Sequence, residues 1–344
     1  EGATNFNNGV STAGAPSPRL TWTVNRVTDM SSMFVNATAF NSDLSNWDAA
    51  QVTTMAKMFE GAIRFNNAQT PISANPSSVS AGTKPLGWNT TSLTNVENMF
   101  LGSQGFNQNI NSFDVSRVTN FKGMFGGNGS SSTVDGLSIL GTAVISPFNN
   151  GGANNDAGLA GSSPLWISNP PGSATGSAPI DMTFMFRGAR FFNQDLNSWD
   201  TSNVTSMQQM FEQAARFNNG DAKFSISEAI SWNTSRVENF AGMFYNSTTF
   251  NQDLNSWDVT SATTLRYMFK PSGNLNSVHF NNGDSQSATS NNTMTWFSTA
   301  SKPSAVDLYG MFSNNEWFNQ DISGWNTSKV TNMSYMFRSA KNFN

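Results

Sequence analysis

Apolar residues recur along this chain at two spacings. From Val204 to Ala214, the residues Val204, Met207, Met210, Phe211 and Ala214 fall at steps of three and four, which is the apolar stripe of a short helix. Ser202 and Thr205 stand where a helix start is capped. Just before it, "FNQDLNSWD" (Phe192 to Asp200) spaces Phe192, Leu196 and Trp199 by four and three among Asn, Gln, Ser and Asp. This half reads as a short extended strand with tight turns. The local prediction is therefore a strand followed by a helix.

The same pair of halves recurs throughout. "MF" falls at Met33, Met58, Met99, Met124, Met185, Met210, Met243, Met268, Met311 and Met336, and an in-register "FN" lies between each of these and the next. Ten coils of about 25 residues follow. In eight of them an aromatic residue lies 11 positions before that Met: Trp22, Trp47, Trp88, Phe113, Trp199, Trp232, Trp257 and Trp325; Trp166 and Trp296 carry small insertions. Constant spacing with variable filling is what stacking on similar neighbours enforces.

Two kinds of coil alternate. In the even-numbered coils, which open "FNQD" or a near variant, the Phe-to-aromatic distance is always seven residues; in the odd ones, which open "FNN", it is 16, 23, 18, 15 and 16. The longer coils place their extra residues at one point, so five loops should leave one edge of the stack. Together with two outgrowths in the middle of the chain, the insertions lie near residues 8–21, 67–87, 126–147, 150–180, 219–231, 270–279 and 282–305. The predicted fold is one repeat solenoid over residues 1–344, leucine-rich-repeat-like α/β, each coil giving a short parallel strand and a short helix. At about 4.8 Å per strand the ten layers would span roughly 50 Å.

Composition narrows the function. Charged residues make up 12% and the net charge is -4, with the 18 Lys and Arg scattered singly, so phosphate neutralisation and nucleic-acid binding are not expected. The 28 Phe, 16 Met and 10 Trp supply enough apolar surface for a packed core. With no cysteine, disulfides, thiolate zinc sites and thiol nucleophiles are excluded. The longest apolar run, Gly136 to Phe148, is too short and interrupted to span a bilayer. No signal peptide is read at the N-terminus.

The stretches "FNQDISGWNTSKVTNMSYMF" (Phe318 to Phe337) and "VTNMSYMFRSAKNFN" (Val330 to Asn344) resemble the 25-residue repeats of BspA-type leucine-rich-repeat surface proteins, which also occur among mycoplasma lipoproteins and in some protists and algae. The resemblance covers nearly all of the chain outside the insertions. It implies a cell-surface or secreted location and a role in adhesion or surface architecture, with no catalytic residues. The regular alternation of coil lengths departs from the simple family pattern.

Candidate chemistry is repetitive. Asp43, Asp195, Asp253 and Asp321 share one position, where Asn109 also occurs; Asp48, Asp114, Asp200 and Asp258 share another with Asn326. Stacked carboxylates suit calcium, but equal use of Asn suits Asx turns, where loss of charge changes little. The structural reading is preferred, and calcium remains the one cofactor considered. His279 is the lone histidine and sits in an insertion, so paired-imidazole chemistry is absent. A two-carboxylate carbohydrate-active enzyme would need one layer to break the pattern with off-pattern acids, and none is evident. The Trp and Phe rows read as buried ladders, leaving Phe191, Tyr245 and Trp317 as aromatic residues out of register and available at the surface. Of nine Asn-x-Ser/Thr sequons, those in loops, Asn128 and Asn291, are the glycosylation candidates.

"EGATNFNN" at the start matches the coil junction "EGAIRFNN" (Glu60 to Asn67), and the final "FN" opens another coil, so neither end reads as a cap. The expectation is a window of a longer array or a subunit that associates end to end. The functional expectation is a non-enzymatic extracellular structural or adhesive protein, with a glycan- or host-protein-binding module using the loop edge as the alternative.

Overall fold

The computed structural model describes residues 4–8, 18–71, 82–127, 131–134, 137–140, 146–152, 165–166, 168, 170–221, 229–271, 280–284, 293–297 and 305–344. Within these, one residue per coil forms a continuous parallel ladder: Asp29, Thr54, Asn95, Asn120, Asp181, Ser206, Asn239, Thr264, Asp307 and Asn332 pair in turn. Six strands are long enough to name: β1 (Ser131–Val134), β2 (Leu137–Leu140), β3 (Ile180–Asp181), β4 (Val204–Ser206), β5 (Val306–Asp307) and β6 (Val330–Asn332). β3 pairs with β4 and β5 with β6 in parallel, whereas β1 and β2 form an antiparallel hairpin with Ser131 opposite Leu140.

Two predicted elements are corrected. The strand is not in "FNQDLNSWD", which forms an irregular stretch with a turn at Asn197–Ser198; it lies in the "VTN" segment that had been given to the helix start. No α-helix occurs among the described residues. Residues 207–214 form consecutive tight turns instead. The N–H groups of Met210, Glu212 and Ala214 donate to carbonyls three residues back, while those of Met207, Gln209, Phe211 and Gln213 donate to Asn239, Ala241, Met243 and Tyr245 of the next layer at 2.8–2.9 Å.

The physical reason is visible in the backbone angles. Gln209 and Gln213 both have positive φ (50° and 58°), and the same four-residue beat recurs at Ser32 and Asn36, and at Tyr335 and Ser339. A left-handed residue in every fourth place turns the chain outward before a helix can propagate, and it aims alternate N–H groups along the stack. Four-residue turns bury residues at nearly the helical spacing, so the apolar pattern does not separate the two. A helix of this length is marginal by itself, whereas a neighbouring identical layer offers every second N–H an acceptor. At the junction after the eighth layer the fourth donor position is Pro271, which has no N–H to give.

A left-handed conformation costs an ordinary L-residue roughly 1–2 kcal/mol, and Asn tolerates it best after Gly. Among the described residues, nine of the twenty non-glycine positions with positive φ are Asn, which accounts for part of the Asn-rich composition. Gly61 shows how these positions fit between layers: its φ is +68°, and a Cβ there would collide with the Asn36 side-chain oxygen of the layer before.

A second column runs through the Asn of every "FN". The side-chain oxygen of Asn7 accepts the backbone N–H of Asn41 (2.8 Å), Asn41 that of Asn66 (2.8 Å), and Asn66 that of Asn107 (3.1 Å). The series continues through Asn149, Asn193, Asn218, Asn251, Asn281 and Asn319 to the N–H of Asn344. From Asn7 to Asn319 these residues are buried, so each bond satisfies a backbone group that has no water within reach.

Inside the layers the rings stack on their counterparts. Phe59, Phe65, Phe100 and Phe106 are parallel, at 4.0 Å within a layer and 5.4–5.8 Å between layers. Trp22, Trp47, Trp88 and Phe113 form a neighbouring column at 5.7–6.2 Å. Each such pair contributes about 0.5–1.5 kcal/mol beyond its area. One apolar cluster runs from Leu20 to Met336.

Replacing Asn218, in mid-column, by Ala leaves the N–H of Asn251 buried without its acceptor. Urea unfolding of Asn218→Ala should show a loss of about 1–3 kcal/mol, against less than about 0.5 kcal/mol for an exposed control such as Ser198→Ala.

Candidate functional site

The edge that carries "FNN" and "FNQ" holds most of the polar side chains with fixed partners. In long layers the second Asn takes positive φ (Asn67 51°, Asn150 50°, Asn219 53°, Asn282 50°). Its side-chain oxygen accepts the N–H of Leu44, Ile110, Leu196 or Leu254 in the preceding short layer at 2.8–3.1 Å. In short layers the Gln reaches back to the long layer before it. The amide of Gln194 donates to both oxygens of Asn149, that of Gln252 to the Asn218 carbonyl and Asp221, and that of Gln320 to Asn281 and Asp284. Long and short layers therefore interlock through different side chains on their two faces, which is why they alternate.

The four calcium candidates sit in separate short layers, and each caps its own turn. Asp43 accepts the N–H of Ser45, Asp195 of Asn197, Asp253 of Asn255 and Asp321 of Ser323, all at 2.8–2.9 Å; Asn109 does the same for Asn111. The second acidic position repeats this, with Asp48, Asp114, Asp200 and Asp258 each accepting the N–H two residues on, as Asn326 does. Among the described residues no three acidic or histidine side chains gather as a metal would need.

The aromatic positions are likewise committed. The indole N–H of Trp47, Trp88, Trp199 and Trp232 donates to the carbonyl of Leu20, Leu44, Leu165 and Leu196 in the layer before. Where Phe113 replaces Trp, the hydroxyl of Ser112 takes over and donates to the Leu86 carbonyl at 2.9 Å. Phe191, expected at the surface, is fully buried, with the guanidinium groups of Arg190 and Arg216 at 5.8 and 5.2 Å from its ring. Tyr245 and Trp317 are half-buried. His279, Asn128, Asn291 and most of the inserted loops lie outside the described residues.

Sequence reasoning missed one cluster. The β1–β2 hairpin lies against the outer face of the turns, where the Ser138 carbonyl accepts from Arg187 (2.6 Å) and Gln209 (2.7 Å). Beneath it Glu212, with no exposure, pairs with Arg187 at 2.6 Å and also accepts from Gln209. Leu137 packs there with Ala241 and Tyr267. Arg187 and Glu212 occupy the same repeat position in consecutive layers, followed by Tyr245 and Lys270. That off-pattern charge pair was the available signal. Burial, reinforced by the nearby Glu212, holds the Tyr245 hydroxyl above its ordinary pKa.

Burial works to raise the pKa of Asp43, but the Ser45 N–H and hydroxyl and the Arg19 guanidinium outweigh it and hold the carboxyl below its ordinary value. The hydroxyl and N–H of Ser31 and of Ser323 do the same for Asp29 and Asp321. A carboxylate depressed in the folded state adds stability above its unfolded pKa and loses it as pH falls through the lower folded value. The thermal midpoint should therefore drop between about pH 5 and pH 3, and Asp43→Asn, which keeps the turn, should make that drop shallower. At neutral pH neither calcium nor a chelator should shift the midpoint, and Asp195→Asn should leave it unchanged; a calcium-dependent rise removed by Asp195→Asn would show a metal site instead.

No curated protein and no solved structure matches the chain. A family model does, over residues 1–133, 175–231, 219–307 and 291–344, so the repeat that the columns share is a family property. The chain belongs to the family described as "Mycoplasma protein of unknown function, DUF285".

Proposed function

We propose that this chain is a non-enzymatic extracellular structural or adhesive repeat protein, whose layers form a solenoid of leucine-rich-repeat size that associates end to end. One observation carries the reading: the forward-pointing bonds between layers leave matched halves on the two end layers. In the tenth layer the N–H groups of Met333, Tyr335, Phe337 and Ser339 stand where the earlier layers donate, Pro271 apart, and in the first layer the carbonyls of Asp29, Ser31, Met33 and Val35 stand where the later layers accept. None of these eight groups has a hydrogen-bond partner among the described residues.

The side chains around them match in kind. Trp22, Met33, Met333 and Tyr335 are the exposed large apolar residues of the described chain. Phe6, Trp325, Phe337 and Phe343 are only partly buried against the core, so the aromatic columns also stop at open faces. Another layer, from a second copy or from further repeats, would continue both the hydrogen bonds and the stacks. A head-to-tail contact of this kind does not close, and it generates a linear assembly. The low charge, the Asn/Ser/Thr surface and the resemblance to surface repeat proteins support an extracellular setting. Among the described residues, the Asp and Asn at both repeated acidic positions cap turns and the Asn of each "FN" joins layers, which supports a scaffold over an enzyme.

Sedimentation and negative-stain microscopy of the 344-residue chain should show rods that lengthen with concentration. Trp22→Asp or Phe337→Asp should abolish the lengthening while the circular dichroism stays unchanged. Monodisperse short particles at all concentrations would contradict the end-to-end reading.

A further inference from the structure

Among the described residues, the ninth layer borders a pocket at a place that inserted residues occupy around the fifth. In both, the chain takes a positive φ at the start of the insertion that follows the Trp column, at Trp166 (57°) and at Phe297 (59°). Around the fifth layer the inserted residues fold down between the flanking layers. The Ala174 N–H donates to the Ser116 carbonyl at 3.0 Å, the Asn203 side chain donates to the Gly176 carbonyl, and Gly172 lies so close to the Asp200 carbonyl that no Cβ would fit. The positions matching Ser116 and Asp200 around the ninth layer are Thr260 and Asn326. There the described residues leave a pocket of about 270 Å³.

Trp257, Trp296 and Phe297 supply its apolar wall and Asp258, Thr260 and Asn326 its polar one. The rings are held in place: the Trp257 and Trp296 N–H groups donate to the carbonyls of Ile230 and Leu254, and Phe297 meets Trp325 edge-on at 5.0 Å. The polar groups keep capacity in reserve. Asp258 uses one oxygen for the Thr260 N–H and Asn326 uses its oxygen for the Ser328 N–H. The other Asp258 oxygen, the Asn326 amide NH₂ and the Thr260 hydroxyl take part in no hydrogen bond of the described residues.

The geometry points to a binding site for a single neutral hexopyranose unit of a glycan. The volume, about 270 Å³, lies just below the usual range of small-molecule sites, which suits one ring and not an extended chain. Sugar hydroxyls need an acceptor, a donor and a group that can be either, and the carboxylate, amide and hydroxyl provide these. The three rings of the apolar wall are themselves buried, so recognition falls mainly to the polar wall. With a carboxylate and no cation among the described residues that line it, the pocket disfavours acidic sugars. This site is separate from the end faces and does not depend on their association.

Saturation-transfer NMR of the full chain with the methyl glycosides of glucose, galactose and mannose, and with a methyl glucuronide, tests it. At least one neutral glycoside should bind saturably and the glucuronide should not. Asp258→Asn keeps its turn, because Asn233 and Asn326 cap the same turn elsewhere, yet it should weaken binding at least fivefold. Asn326→Asp on the opposite wall should do likewise, and Asp200→Asn, at the matching covered position, should change nothing. Absence of binding by all three neutral glycosides at tens of millimolar, preference for the glucuronide, or equal binding by all three variants would overturn the proposal.

Discussion

Everything in this molecule depends on one short hydrogen bond repeated layer by layer, from the backbone N–H of one buried Asn to the side-chain oxygen of the Asn before it. Layers built of tight turns have little internal hydrogen bonding, since only alternate N–H groups find acceptors within their own turn. A backbone group buried without a partner costs about 1–3 kcal/mol. The Asn column on one edge and the forward-donating turn residues on the other settle that cost between layers. The rings can then stack face to face through the whole core.

This dependence on neighbours explains what varies and what does not. The Asn of "FN", the Met-Phe pair and the residue that keeps each parallel bridge are tied to two other layers at once. The insertion that every long layer shares follows "FNN", where the second Asn has already secured the preceding layer through the N–H of Leu44 or its equivalents. The substitution of Phe113 for Trp is tolerated because Ser112 satisfies the carbonyl that the indole would have reached. Columns of Asp are used as Asn would be, which is why the verbatim repeat of "FNQDLNSWD" marks a structural rung.

The repeat, its ten-fold count, the alternation of coil lengths and the stacked rings were legible because they depend on spacing alone. The helix was misread because four-residue turns with Gln209 and Gln213 in the left-handed region bury Met207, Met210, Phe211 and Ala214 at helical intervals. The strand was displaced because its ladder is one or two residues wide, too short for an alternating pattern. Phe191 was taken for a surface residue because its burial comes from outside the repeat register. The Arg187–Glu212 pair arises where the β1–β2 hairpin meets the layers, and no one-layer pattern predicts where an insertion lands.

The most direct test of the central claim is site-resolved amide hydrogen exchange. If the Asn column holds the layers together, the N–H groups of Asn107, Asn149, Asn193, Asn218 and Asn251 should be among the slowest to exchange, although none lies in a regular strand or helix. Exchange at those sites as fast as at the exposed Ser198 or Ser256 would contradict it.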